Sequence, residues 1–278
     1  MVAAAGLAAA PAGVGSALML GTPAPARAVV SATAAALRLP PPAAEADYQL
    51  GGAYPPPRGV RIVTRDRLAR PAAGAYGICY VNAFQSQPGD GSWWRRWHPD
   101  LLLRAHDGHV VTDPGYPREY LLDISTPTRR ARLAVIVGGW IDGCARSGFS
   151  AVEPDNLDSW TRSRGLLKAG DAVAFARLLT ARAHARALAI GQKNTAELAP
   201  QGRRLGFDFA VAEECQVFDE CRAFSAAYGR RVIEIEYTDN GRKAFAESCA
   251  QHQAERSIVL RDRALTRPGT PGYTYASC

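Results

Sequence analysis

From Tyr48 onward the sequence repeats one pattern: a short apolar run, a polar or acidic residue at its end, then a stretch with helical spacing. The runs cover 48–52, 61–66, 77–84, 120–124, 149–156, 187–194, 207–213 and 231–237, and a ninth covers 257–261. The stretches between them have recognisable ends. Thr126 before Pro127 predicts a helix start, with Gly148 as its stop. Asp171 opens a helix whose Val173, Ala176, Leu179 and Ala183 share a face, and a helix over 216–228 is expected to stop at Gly229. Strands alternating with helices imply a parallel sheet. Eight such units predict an α/β fold, a (β/α)8 TIM-type barrel, with the ninth run as one extra strand. A doubly wound sheet would want a G-x-G-x-x-G turn after an early strand, and Gly51-Gly52 does not supply one. A long insert, 85–118, interrupts the pattern and carries Trp93, Trp94, Trp97, His98 and Tyr116.

In a parallel barrel the chemistry gathers at the C-terminal strand ends and the loops that follow. Those ends carry Tyr48, Asp66, Tyr80 and Asn82, Asp123, Glu153 with Asp155, Asn156 and Asp158, Lys193 with Asn194, Glu213 with Glu214, and Glu236 with Tyr237. Carboxylates dominate. Lysine is scarce, at Lys168, Lys193 and Lys243 only, so Lys193 at such a place points to a need for a compact ammonium. Side chains alternate along a strand, which puts Glu153 and Asp155 on one face, and Phe209, Val211 and Glu213 on one face. Two carboxylates from different strands facing one cleft are what glycoside hydrolysis requires: one protonates the leaving oxygen, the other is nucleophile or activates water. Crowding raises one of their pKa values and keeps an acid protonated near neutrality. On their own strand Glu153 and Asp155 are equal candidates. The insert's tryptophans serve either as sugar-stacking faces or as packing for the loop itself.

Other chemistries fit poorly. There is no G-x-S-x-G elbow. His106 and His109 flank an Asp107-Gly108 loop, 155–158 lacks calcium-loop spacing, and no C-x-x-C is present. No cofactor and no metal are expected. The formal net charge is +7, yet the arginines are scattered rather than clustered, which argues against a nucleic-acid partner.

The first 46 residues hold 18 alanines and no charge between residues 2 and 26. The small-x-small sequence Ala26-Arg27-Ala28 predicts an export signal over 1–28, followed by a Pro/Ala-rich linker over 29–46 and a barrel domain over 47–278. Pro11 and the many small residues make the apolar stretch a poor membrane helix, so no stable insertion is expected once the signal is removed. Six cysteines suit an oxidising, extracellular compartment. Cys215 and Cys221 are near enough to pair, Cys249 with Cys278 would tie down the C-terminus, and Cys79 and Cys144 either pair or stay as buried thiols.

Taken in order, Tyr48-Gln49-Leu50, Cys79-Tyr80-Val81-Asn82, Leu122-Asp123-Ile124, Glu153-Pro154-Asp155-Asn156-Leu157-Asp158, Lys193-Asn194, Glu213-Glu214-Cys215 with Cys221, and Glu236-Tyr237 resemble glycoside hydrolase family 114, the endo-α-1,4-polygalactosaminidases. The resemblance implies a secreted barrel enzyme that cleaves α-1,4 links in galactosamine-containing polysaccharide. It implies Asp155 and Glu213 as the catalytic pair, with Asp155 as nucleophile or base and Glu213 as acid/base. The chain departs from the family at Thr64-Arg65-Asp66 and at Ala212, which bears on substrate preference. A polymer with free amines is cationic, and a carboxylate-lined cleft would attract it. A monomer acting on such a polymer is expected; the alternative is a barrel that binds carbohydrate without cleaving it.

Overall fold

The structure, a computed structural model, describes residues 37–278 together with Gly13. The export signal expected over 1–28 lies outside the described residues apart from Gly13, as does the part of the linker over 29–36. The remaining stretch, 37–46, does not behave as a free linker. Ala44 is buried and Leu39 packs on the barrel interior. The Arg38 carbonyl accepts the Tyr76 hydroxyl at 2.7 Å, and the Ala43 N–H donates to the Arg230 carbonyl at 2.9 Å. These contacts cover the N-terminal end of the barrel, which would otherwise open apolar side chains to water.

Eight parallel strands follow in sequence order: β1 Ala46–Gln49, β2 Ile62–Asp66, β3 Tyr76–Asn82, β4 Ala151–Asp155, β5 Ala189–Lys193, β6 Phe209–Glu213, β7 Val232–Tyr237 and β8 Ser257–Arg261. A ninth, β9 Tyr275–Ser277, runs antiparallel to β8. The expected barrel is therefore present, and it has an extra strand, but the extra strand is not the one foreseen. The apolar run over 120–124 is no barrel strand. It makes isolated bridges to Gln85, Leu102 and Thr112 inside the insert between β3 and β4. The run over 257–261 takes its place as the eighth strand.

Helices cover the outside of the sheet from β3 onward. After the short α1, Gly91–Trp97, comes α2, Pro127–Arg146, which starts as expected: Thr126 Oγ1 accepts the Arg129 N–H at 3.3 Å and Pro127 occupies the first turn, where no N–H is needed. Then come α3 Ala169–His184, α4 Ala199–Leu205, α5 Cys221–Tyr228 and α6 Lys243–His252. In α3 the buried side is Ala172, Phe175, Ala176, Leu179 and Ala183. The fifth helix begins later than its apolar pattern suggests, because residues 216–220 turn to bring Cys215 and Cys221 into a disulfide. Cys79–Cys144 and Cys249–Cys278 are also disulfides. Among the described residues, no helix is long and apolar enough to cross a membrane.

Alternation along the strands fills the barrel with Ala46, Tyr48, Ile62, Ile78, Phe209, Val211, Ile233, Ile235 and Val259. Gly191 is small for a reason: a Cβ there would lie 2.7 Å from the Phe209 ring. The ring closes between β8 and β1 through side chains. Arg261, fully buried, donates to the Tyr48 carbonyl, pairs with Asp47 at 3.1 Å and donates to the Thr274 carbonyl at 3.0 Å. The Tyr275 hydroxyl donates to the Ala46 carbonyl at 3.2 Å. Arg261→Met would leave Asp47 as a buried charge without its cation. A loss of about 3–5 kcal/mol is expected, read from urea unfolding.

Candidate active site

The C-terminal ends of the strands open into a cleft of about 650 Å³. Tyr80 of β3, Asp155 of β4, Lys193 of β5, Glu213 of β6 and Tyr237 of β7 reach it because each shares parity with the interior residues of its strand. Three of these ends are followed at once by a non-glycine residue in the left-handed region: Asn156 (φ 65°), Asn194 (φ 46°) and Glu214 (φ 58°). Each such residue costs about 1 kcal/mol or more. The turns bend the chain away directly behind Asp155, Lys193 and Glu213, and leave those three side chains at the cleft floor.

At the floor a single ammonium serves three carboxylates. Lys193 Nζ lies 3.1 Å from Glu153, 3.0 Å from Asp155 and 3.3 Å from Glu213. Each carboxylate also receives a tyrosine hydroxyl: Tyr48 donates to Glu153 at 2.7 Å, Tyr80 to Asp155 at 2.6 Å, and Tyr237 to Glu213. Burial, with the neighbouring carboxylates, drives all three tyrosines well above their ordinary pKa, so they remain neutral donors. Burial also opposes the charge on Lys193, but Asp155, Glu213 and Glu153 outweigh it and hold the lysine protonated.

The two acids of β4 differ sharply. Glu153 has no exposure and lies beneath the cleft. Burial is the main force on it and pushes its pKa up to about 7, against the pull of Lys193. Asp155 lines the cleft. Burial raises it too, but Lys193, the Tyr80 hydroxyl and the Asn156 N–H at 2.8 Å overcome that and hold its carboxyl below the usual range. Glu213 Oε2 accepts the Asn194 side-chain amide at 3.2 Å, while Asn194 Oδ1 accepts the Glu213 N–H at 2.8 Å.

Of the other residues expected here, Asp66, Asn156 and Asp158 line the cleft, and Asn194 and Tyr48 do as well. Two do not. Asp123 sits where the insert meets α2, its carboxylate taken by the Ser125 N–H at 3.0 Å and by Arg129 at 3.3 Å. The strand end expected at 120–124 does not exist. Glu236 precedes the inward Tyr237 and so must point outward, where it accepts the Gln216 N–H at 3.0 Å. The tryptophans are also elsewhere: Trp94 is buried against Trp93 and Trp140, and Trp93 and Trp97 do not line the cleft. From the insert, Tyr116 does, with its ring more than half exposed.

The cleft also holds residues not foreseen. Glu119 and Asp113 come from the insert, Arg162 from the loop after β4, and Arg263 from the loop after β8. Arg162 pairs with Asp113 at 2.6 Å and Asp158 at 2.7 Å. Arg263 pairs with Glu214 at 2.6 Å and Asp239 at 2.8 Å, and lies over the Tyr237 ring at 4.0 Å. Their only sequence signal is a charge placed beside a strand end or an apolar run, which most surface loops share.

A parallel barrel whose strand ends present paired carboxylates around one lysine, in an open cleft, is the architecture of a glycoside hydrolase. A profile of glycoside-hydrolase family GH114 matches residues 26–278, and the chain belongs to that family. Its fold is similar to that of Ega3 from Aspergillus fumigatus, solved in complex with galactosamine, at 24% identity and TM-score 0.68, over 87% of this chain and 98% of that one. It is also similar to the glycoside hydrolase domain of PelA from Pseudomonas aeruginosa, at 12% identity and TM-score 0.55, over 81% of this chain and 97% of that domain. No curated protein matches the chain in sequence.

Lys193→Met should cost at least about 3 kcal/mol in urea unfolding at neutral pH, since it strands several buried carboxylates. Glu236 gives a second test. Burial pushes its carboxyl up to about 7, so the folded state holds a proton that the unfolded state has released between the ordinary glutamate value and that point. Stability contributed by that group therefore falls as pH rises through this window. Glu236→Gln, which keeps an acceptor for Gln216, should gain stability over the parent as pH goes from 5 to 8, measured as Tm.

Proposed function

We propose that the protein is a secreted endo-glycosidase that cleaves α-1,4 links in galactosamine-containing polysaccharide, with Asp155 as nucleophile and Glu213 as acid/base. The observation that carries this reading is the shared contact of both carboxylates with Lys193 Nζ, at 3.0 and 3.3 Å. Their nearest oxygens can be no farther apart than those two arms laid end to end. Both groups therefore face one reacting centre, as a nucleophile and an acid/base acting on one glycosidic bond must. Membership of the family supports the reaction class, and the fold shared with a protein solved with galactosamine supports the sugar.

The steps follow from the hydrogen bonds. Asp155 is kept ionised by Lys193, Tyr80 and the Asn156 N–H, and its carboxylate attacks the anomeric carbon as Glu213 gives its proton to the leaving oxygen. A glycosyl ester on Asp155 and a shortened polymer result. Glu213, now a carboxylate, takes a proton from water; the water oxygen bonds to the anomeric carbon and the ester bond to Asp155 breaks. The sugar amine plays no part in this scheme, since a free amine lacks the carbonyl with which an N-acetyl group assists.

Substrate charge is the second support. Seven carboxylates line the cleft against Lys193, Arg162 and Arg263, in a chain whose net charge is +7. Three disulfides and the apolar N-terminal sequence ending in Ala26-Arg27-Ala28 support export to an oxidising compartment. The enzyme would act there as a monomer, with no nucleic-acid partner and no membrane insertion after signal removal.

Reducing-end release from a deacetylated galactosamine polymer tests the reading. Asp155→Asn and Glu213→Gln should each lower kcat by about 10²–10⁴-fold or more with the fold intact. Substantial turnover in Asp155→Asn would sink the assignment. The products should first appear with the substrate's own anomeric configuration by proton NMR. Activity should also fall as salt is added, because screening weakens attraction between the acidic cleft and a cationic polymer.

A further inference from the structure

Five of the seven carboxylates on the cleft wall have a cation: Asp155 and Glu213 share Lys193, Asp113 and Asp158 share Arg162, and Glu214 has Arg263. Asp66 and Glu119 have none among the described residues. Both oxygens of Asp66 are occupied, by the Leu68 N–H at 2.8 Å and the Gln87 side-chain amide at 2.6 Å. Glu119 is different. Its Oε2 accepts the amides of Asn82 at 3.1 Å and Gln85 at 2.7 Å, and its Oε1 accepts no hydrogen bond among the described residues. The residue is only 7% exposed, yet it forms part of the cleft wall.

A carboxyl this buried, held by two neutral amides, has no cation among the described residues to offset its charge when it ionises. Burial raises its pKa, and the Asp155 and Asp113 charges push it the same way against the two amides. A cation delivered by a ligand would relieve that cost. Its place relative to the reacting centre is fixed by one line of hydrogen bonds. The Asn156 N–H donates to Asp155, the Asn156 side chain donates to Asn82 at 2.9 Å, and Asn82 donates to Glu119. Asn82 and Asp155 are also direct register partners on β3 and β4. The backbone on either side is pinned as well: the Glu119 N–H donates to the Tyr116 carbonyl at 2.8 Å, and the Glu119 carbonyl accepts the Asp113 N–H at 2.9 Å.

We propose that Glu119 is the residue that selects a free amine at C2 of the sugar bound over Asp155, through an ammonium–carboxylate contact at Oε1. The inference rests on the glycosidase reading for where the sugar lies. In a 2-amino sugar the nitrogen is on the carbon next to the one attacked, so its partner belongs within a side chain's reach of the nucleophile. An N-acetyl group brings no charge to Oε1, and a 2-hydroxyl makes only a neutral hydrogen bond there. Tyr116, exposed at the cleft beside this turn, gives the sugar a face to stack on.

Binding of galactosamine, N-acetylgalactosamine and galactose to the full chain, followed by NMR titration, tests the proposal. The wild type is expected to favour galactosamine over galactose by about tenfold or more, in line with a hydrogen bond between charged groups. Glu119→Gln keeps an oxygen for the Asn82 and Gln85 amides; it is expected to bind galactose as before and to lose the preference. A preference that survives in Glu119→Gln, or is absent from the wild type, overturns the proposal. A crystal of the wild type soaked in galactosamine reads the same point without a variant: the amine lies against Oε1, or the proposal fails. Polymer cleavage measured in parallel judges the glycosidase reading separately. No cleavage with the Glu119-dependent preference intact sinks that reading and upholds the amine site, whereas cleavage by a protein indifferent to the amine does the reverse.

Discussion

Lys193 is the charge around which the barrel's open end is arranged. Burying one carboxylate costs several kcal/mol unless it is matched, and here three converge on a single ammonium. One positive charge cannot neutralise three negative ones. The surplus is managed by two devices. Each carboxylate has its own tyrosine hydroxyl, and the deepest of the three, Glu153, has its pKa raised until it holds a proton close to neutrality. The result is a graded stack: a carboxyl that gives up its charge at the bottom, an ammonium in the middle, and Asp155 with Glu213 at the surface of the cleft. The ammonium sends its donors out from one atom to three carboxylates, whereas a guanidinium spreads its donors in a single plane, which gives physical content to a lone lysine in an arginine-rich chain.

Much of this was legible in the sequence because strand parity is strict. The inward positions of β4, β5 and β6 follow from counting by two, and Glu153, Asp155, Lys193 and Glu213 fall on them. The same rule, applied to Glu236 and Tyr237 together, excludes one of the two, since adjacent residues cannot face one cleft. The run over 120–124 misled for another reason. A buried ladder in an insert has the length and apolarity of a barrel strand, and only its partners, Gln85, Leu102 and Thr112, tell them apart. Glu119 and Arg162 were hidden because the insert and loops bring them to the cleft by tertiary packing, which no local period encodes.

The charge distribution also has a division of labour. The chain is basic as a whole, but its cleft is acidic, and the two arginines on the cleft wall are each consumed by a pair of acids. Those pairs stiffen the rim without contributing free positive potential. Net charge is therefore a poor guide to the ligand here: the field a substrate meets is set by the few groups lining a concave wall, where the low-dielectric surroundings focus it.

The seam between β8 and β1 bears on how the chain comes to be folded. The groups that close the ring, Arg261 and Tyr275, lie close to the C-terminal end of the sequence, while their partners Ala46, Asp47 and Tyr48 are in the first strand. A chain emerging from the ribosome carries that first strand for most of its synthesis with nothing to seal its open edge. Ring closure thus joins groups 213 residues apart, a contact whose loop-closure cost is met most cheaply once the intervening strands have paired.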